Sequence, residues 1–136
     1  MFSESDLVFS YTTKDAIRDG VLIPVPGIIS GCCGINVPVY FNDSIWGAYV
    51  EPLDKEKRTG RMSEILLVLA KKARGFNGQI LRFRVELEVD PAMDIQRNEQ
   101  PGPDDRYRTV ELKSVINRHD VDDSSPAIFI MLPWED

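Results

Sequence analysis

Histidine and cysteine are scarce in this sequence, which narrows the chemistry open to the chain. His119 is the only histidine, and the only two cysteines, Cys32 and Cys33, are adjacent. A single imidazole nearly excludes a nucleophile–base–acid triad, and neither a nucleophile elbow nor a phosphate-binding glycine motif occurs. Adjacent cysteines rarely bridge each other, so two thiols without other partners predict a reducing, cytoplasmic setting. We therefore expect no cofactor and no catalytic residue, and we favour a protein that is not an enzyme.

Long apolar runs are also missing. The uncharged apolar runs over residues 65–70 and 127–132 contain six residues each, far short of the roughly 20 residues that cross a bilayer. Acidic residues occupy the first positions, where a secretory signal would carry basic ones, so we expect neither export nor membrane association. With 136 residues, of which 43% are hydrophobic and 28% charged, the composition is typical of one globular domain spanning residues 1–136.

The negative charge is concentrated in the second part of the chain. Residues 1–89 contain 11 acidic and 11 basic side chains, whereas residues 90–136 contain 11 acidic and 5 basic ones, which accounts for the net charge of −6. Phosphate binding needs a positive surface potential. Direct nucleic-acid binding is therefore disfavoured. The acidic residues in 90–136 are compatible with another function, in which the protein mimics the charge of nucleic acid.

Three strands form the predicted centre of an antiparallel sheet. Residues 80–89 alternate apolar side chains with charged ones, which is the period-two pattern of a strand with one face in water. A second strand is predicted around Val110 and Leu112, which point inward in the same pattern. Residues 127–132 are apolar at every position, which predicts an interior strand covered on both faces.

A long amphipathic helix is predicted over residues 61–74, because its apolar side chains form one stripe. These side chains are Met62, Ile65, Leu66, Leu69 and Ala73. The charged residues 53–58 before it are expected to form a surface connection. A shorter helix is expected over residues 43–51, and residues 36–41 are expected to form an edge strand, because Pro38 lacks an N–H group.

The N-terminal segment is predicted to be a short strand–helix–strand unit. Residues 7–11 are a strand candidate, and Thr12 and Asp15 have the spacing of a capping box for a helix over residues 14–19, which Gly20 ends. Residues 21–25 resume extended structure, and the glycine-rich residues 26–36 are expected to be a loop. The fold class is therefore α+β, with an antiparallel sheet of three or more strands and the long helix packed on one face.

The best candidate for chemistry is the run from His119 to Asp123. The imidazole and the carboxylates of Asp120, Asp122 and Asp123 are groups that bind divalent cations such as Mg²⁺, Ca²⁺ or Mn²⁺. Their spacing matches no metal-binding loop of defined geometry. A solvated acidic turn between two strands is the alternative interpretation, and the sequence favours it.

A second candidate surface is the wet face of the strand over residues 80–89. Arg82, Arg84 and Glu86 share this face, where they either form cross-strand ion pairs or, if uncovered, bind a partner. Trp134 either packs back on the domain or offers an exposed aromatic side chain for binding. These four are the candidate partner-binding residues, and the partner is another protein or a second copy of the chain. The connection at residues 90–105 is long for a compact domain, which indicates mobility or function.

The segment from Tyr11 to Leu22 reads Tyr-Thr-Thr-Lys-Asp-Ala-Ile-Arg-Asp-Gly-Val-Leu. It resembles the opening of a family of uncharacterised bacterial proteins, which often read Tyr-Thr, a short spacer and Ala-Ile-x-Asp-Gly-Val-Leu. Residues 60–62 and residues 130–133 are similar to the family as well. The family is a domain of unknown function that is often encoded on plasmids, phages and integrated elements. The resemblance implies a genomic setting and carries over no catalytic residue.

Three functions follow, in order of preference. The first is a non-enzymatic protein-binding or accessory protein of a mobile genetic element, such as an anti-defence factor. The second is a divalent-metal-dependent enzyme or a ligand-binding domain that uses the turn from His119 to Asp123. The third is an acidic mimic of nucleic acid, which depends on the acidic residues in 90–136.

Overall fold

A computed structural model of the chain describes residues 11–135. A six-stranded mixed sheet has the order β1-β2-β6-β5-β3, and β4 lies beside β5. The strands are β1 (Leu22–Pro24), β2 (Val39–Asn42), β3 (Ile80–Glu88), β4 (Glu99–Pro101), β5 (Tyr107–Asp120) and β6 (Asp123–Met131). The α+β class is confirmed. The sheet differs from the antiparallel expectation in one pair, because β6 enters between β2 and β5 and runs parallel to β2.

Strand β3 confirms the predicted alternation. Phe83, Val85 and Leu87 are buried, while the charged residues between them are exposed. Phe83 lies opposite Leu112 of β5, and Val85 lies opposite Val110, so the inward parity of both strands is as predicted. Strands β5 and β6 are longer than the sequence pattern suggested, because polar residues continue the pairing as far as the Asp120–Asp123 pair.

The long helix, α4, spans Lys55–Ala73 and packs on the core face of the sheet. Met62, Ile65, Leu66 and Leu69 are buried as predicted, whereas Ala73 is exposed. The helix begins six residues before the predicted start at Arg61, so residues 55–58 are helical rather than a connection. Its first turns are charged and carry no apolar stripe, which is why hydrophobic periodicity missed them. Among the described residues, no helix combines the length and the apolar character needed to cross a membrane.

The N-terminal unit contains the predicted capped helix. Helix α1 spans Thr13–Arg18, and Thr12 and Asp15 form the capping box. Gly20 follows with a φ of +76°, a conformation that glycine adopts without steric cost. The predicted strand at 7–11 lies outside the described residues except for Tyr11, which belongs to no strand.

Two expectations for residues 26–42 are wrong. The predicted glycine-rich loop contains helix α2 (Gly27–Cys32), whose contact with α4 compensates for the poor helix propensity of glycine. The predicted edge strand is interior, since β2 lies between β1 and β6. Pro38 precedes β2, and its carbonyl oxygen accepts a hydrogen bond from the Ile128 N–H.

The predicted helix at 43–51 is confirmed, with an irregular second half. Helix α3 (Asp43–Ile45) begins at Asn42, whose side chain accepts a hydrogen bond from the Ile45 N–H. It continues as a π-helix over Trp46–Val50. Tyr49 and Val50 are buried there, and Trp46 packs against the core, so tertiary packing stabilises the wider turn.

Two adjacent leucines in α4 provide a test of this packing. Leu66 is fully buried, whereas Leu67 is 54% exposed. We expect Leu66→Ala to lower the free energy of unfolding by about 2–5 kcal/mol because it opens a cavity. The control, Leu67→Ala, should change it by about 0.5 kcal/mol or less. Urea denaturation followed by circular dichroism measures both, and equal losses would contradict the assigned helix face.

Candidate functional site

A groove lies on the face of the sheet opposite α4 and encloses about 320 Å³. Its lining includes Arg82 and Arg84 of β3, Thr109 and Glu111 of β5, and Arg97 and Trp134 from two connecting segments. Three of the four predicted partner-binding residues therefore meet at one place. Glu86 shares the outward face of β3 but does not line the groove, so its role in binding stays a prediction.

Arg82 and Arg84 form cross-strand ion pairs, which is one of the two predicted alternatives. Their common partner is the carboxylate of Glu111 on β5. Its Oε1 lies 3.5 Å from Arg82 Nη1, and its Oε2 lies 3.7 Å from Arg84 Nε. Both distances exceed the ordinary hydrogen-bond range. The arginine side chains are 64% and 62% exposed, so most of their N–H donors face solvent.

Trp134 forms one wall of the groove because the C-terminal segment is held on the sheet. The Glu135 carbonyl oxygen accepts a hydrogen bond from the buried Lys113 ammonium group. The Glu135 carboxylate accepts from the Leu132 N–H at 2.9 Å. Trp134 thus packs back on the domain and still remains 43% exposed, which combines the two predicted alternatives.

Arg97 lies against this indole. Its guanidinium carbon is 4.5 Å from the centroid of the Trp134 ring, within the range of a cation–π interaction. This contact joins the connection at 90–105 to the C-terminal segment. Arg97 was not among the predicted site residues, because sequence spacing alone gives no sign that it meets Trp134.

A buried ion pair lies beneath the groove and holds the connection at 90–105. Arg108 Nη1 is 3.0 Å from Glu99 Oε1, and the two side chains are 7% and 3% exposed. The Tyr49 hydroxyl donates to the other oxygen of Glu99, and burial followed by this hydrogen bond raises the pKa of Tyr49. The Gln96 N–H donates to Glu99 Oε1 at 2.9 Å. The carboxylate is therefore fully satisfied inside the protein.

Arg108 also bonds to the backbone of the same connection. Its guanidinium donates to the carbonyl oxygens of Met93 and Asp94. Asn98 adds a hydrogen bond from its amide to the Glu111 carbonyl at 3.2 Å. The connection at residues 90–105, which the sequence predicts to be mobile or functional, is thus bound to the sheet. These bonds determine the position of Arg97.

His119 lies in a hydrogen-bonded network at the β5–β6 hairpin. Its Nε2 is 2.5 Å from the Tyr40 hydroxyl, and its Nδ1 is 3.0 Å from Asp123 Oδ2. Tyr40 is buried and stacks on the rings of both His119 and Phe129. Both ring nitrogens therefore have partners within the protein.

Asp120 caps the first turn of α1. The N–H groups of Thr13 and Lys14 each donate to its carboxylate at 3.2 Å, and the Val121 N–H donates at 2.8 Å. Burial acts to raise the pKa of Asp120, but these backbone hydrogen bonds outweigh it and hold the pKa below its ordinary value. The cap joins the N-terminal unit to the hairpin.

The acidic residues of the hairpin serve separate partners. Asp122 lies 3.8 Å from the Lys14 ammonium, and Asp123 bonds to His119 and to Ser125. Across residues 11–135, no group of three or more His, Cys, Asp or Glu side chains is arranged to hold a metal ion. His119, Asp120 and Asp123 thus form hydrogen bonds within the hairpin and with α1, whereas Asp122 forms only the long ion pair with Lys14.

The two cysteines do not share an environment. Cys32 is exposed and Cys33 is buried, and both are free thiols. Burial raises the pKa of the Cys33 thiol above its ordinary value, which makes it a poor nucleophile. It lies 3.9 Å from the Ser63 carbonyl oxygen and contributes to the core.

The buried pair beneath the groove leads to a stability prediction. We expect Arg108→Met to lower the free energy of unfolding by about 3–5 kcal/mol, because Glu99 is then buried without its cation. The exposed neighbour provides the control, since Arg106→Met should cost about 1 kcal/mol or less. Urea denaturation measures both, and a similar effect for the two variants would contradict a structural role for the pair.

The hairpin leads to a prediction about pH. Hydrogen bonds from Ser125, followed by that from His119, lower the pKa of Asp123 to about 2. A lowered pKa in the folded state means that the stabilisation is present above the unfolded-state pKa of about 3.9. It is lost as the pH falls towards 2. We expect Asp123→Asn to weaken the acid dependence of the melting temperature across this window, and an NMR titration midpoint for Asp123 near its ordinary value would overturn this prediction.

Comparison with known proteins gives no family for this chain. No family model, curated protein or solved structure matches it. The resemblance carried by residues 11–22 therefore stays a prediction. The site is interpreted from its own geometry.

Proposed function

We propose that this chain is a non-enzymatic protein-binding factor, and that it binds a partner protein in the groove between β3 and Trp134. The observation that supports this most directly is the convergence of Arg82, Arg84, Arg97 and Trp134 on one exposed surface. Arginine and tryptophan are the side chains most enriched among residues that dominate binding energy at interfaces. Following the resemblance of residues 11–22, we place the factor among the accessory proteins of a mobile genetic element.

The surroundings of the groove support a surface for binding rather than for turnover. Its polar groups are guanidiniums, a threonine hydroxyl, the amides of Asn98 and Gln100, and the carboxylates of two glutamates that are paired with arginines. The only imidazole of the chain, His119, has both nitrogens bonded to Tyr40 and Asp123 and does not line the groove.

The rigidity of the surface also supports binding. Two of its arginines lie on a paired strand, and the ion pair of Arg108 with Glu99 holds the connection that carries Arg97. Lys113 and the carboxylate of Glu135 hold the segment that carries Trp134. A surface that is fixed before binding loses little conformational entropy on association.

Affinity capture tests this proposal. We expect the tagged full chain to retain a partner from a lysate of its native host, and expect Trp134→Ala or Arg84→Gln to reduce the captured amount by about tenfold or more, as for a residue that dominates an interface. Arg74→Gln removes the same charge from an exposed residue outside the groove and should leave capture unchanged. Thermal melting confirms that each variant is folded. Capture that is equal in all variants, or turnover of a metabolite by the purified chain, would contradict the proposal.

A further inference from the structure

The groove carries a local positive charge, whereas the chain as a whole is acidic. Three arginines line it, together with Glu99 and Glu111. The buried carboxylate of Glu99 is neutralised by Arg108, so Glu111 has the only other carboxylate in the lining, and Glu86 on the same face of β3 lies outside it. The chain as a whole has a net charge of −6. A local positive excess on an acidic protein selects a partner that carries negative charge at this point.

From this charge and from the spacing of the arginines on β3, we infer that its occupant is an extended acidic segment of the partner protein. The segment presents carboxylates to Arg82 and Arg84 and an apolar side chain to Trp134. The inference rests on the proposed function and adds the chemistry of the partner.

The spacing of the two β3 arginines favours an extended segment. Arg82 and Arg84 are alternate residues on one face of a strand, so their Cα atoms lie roughly 6.7 Å apart. Carboxylates at alternate positions of an extended peptide have the same separation. An extended segment that runs along β3 can therefore place two carboxylates opposite the two guanidiniums.

The guanidiniums have donors available for these carboxylates. Each guanidinium carries five N–H groups, and the contacts of Arg82 and Arg84 with Glu111 are longer than hydrogen bonds. Paired hydrogen bonds from arginine to carboxylate are among the strongest polar contacts of proteins. An incoming carboxylate thus competes only with the long ion pairs to Glu111 and can form shorter, hydrogen-bonded contacts with both guanidiniums.

The wall of the groove offers a contact for an apolar side chain. Arg97 lies over the Trp134 ring, and 43% of the tryptophan remains exposed. An apolar side chain that covers this exposed part removes aromatic surface from water. The net charge of −6 on the whole chain disfavours a long nucleic-acid strand that continues past the groove.

Fluorescence anisotropy with the purified full chain tests the inference. The probe is a fluorescein-labelled peptide in which Glu alternates with Thr and is followed by Phe. The controls are the same peptide with Lys in place of Glu, and a labelled single-stranded DNA. We expect the acidic peptide alone to bind, more weakly as salt rises. Its affinity should fall about tenfold or more in the double variant Arg82→Gln, Arg84→Gln, because charge-assisted bonds are lost. The affinity should be unchanged in Arg74→Gln.

Three outcomes would overturn the inference. The first is equal binding of the acidic peptide by wild type and the double variant. The second is that the DNA binds more tightly than the peptide and that the double variant loses this DNA binding. That result would assign the groove to nucleic acid. The third is no peptide binding while capture of the host partner still depends on Arg84 and Trp134. In that case the proposed function stands and only the chemistry of the partner is wrong.

Discussion

The buried ion pair between Arg108 and Glu99 holds together the parts of the molecule that the sheet alone would leave apart. Moving both charges out of water has a cost, which is offset only when the remaining hydrogen-bonding groups are satisfied. Here the second carboxylate oxygen accepts from Tyr49, and the guanidinium also donates to two backbone carbonyls. The pair therefore determines the path of the connection between β3 and β5, and with it the position of Arg97.

The groove combines three strands, β3, β4 and β5, with two irregular segments. Strand β3 supplies Arg82 and Arg84 at a spacing set by backbone geometry. The irregular segments depend on polar contacts of individual side chains, namely those of Arg108 with the long connection and of Lys113 with the carbonyl oxygen of Glu135. The cation–π contact of Arg97 with Trp134 closes the arrangement. These contacts position the backbone at Arg97 and Trp134, which lie in turns outside any helix or strand.

The sequence predicted the parts of the fold that depend on local periodicity. Alternation over residues 80–89 placed Phe83 inside and Arg84 outside, and the apolar stripe of α4 identified Leu66 as a core residue. The same parity carries a signal for the buried ion pair: with Val110 and Leu112 inward, Arg108 also points inward and needs a buried anion. The identity of that anion, Glu99, depends on the path of the connection, which no local pattern encodes. The meeting of Arg97 with Trp134 is likewise tertiary, and the hairpin carboxylates show that residue type alone does not separate a metal ligand from a helix cap.

The parallel pairing of β2 with β6 has a consequence for how the chain is assembled during translation. Val39 pairs with Ile128 and Phe41 with Ile130. Because these partners are far apart in the sequence, β2 leaves the ribosome long before β6, the strand with which it pairs. Until β6 is synthesised, the edge of β2 and the edge of the second half of β5 that will pair with it are both open. Bringing β6 back to β2 closes a long loop of chain, which slows folding. The nascent chain thus exposes strand edges that attract other chains. Completion of the sheet waits for the segment that also positions Trp134, so the finished fold and the finished groove arise in the same step.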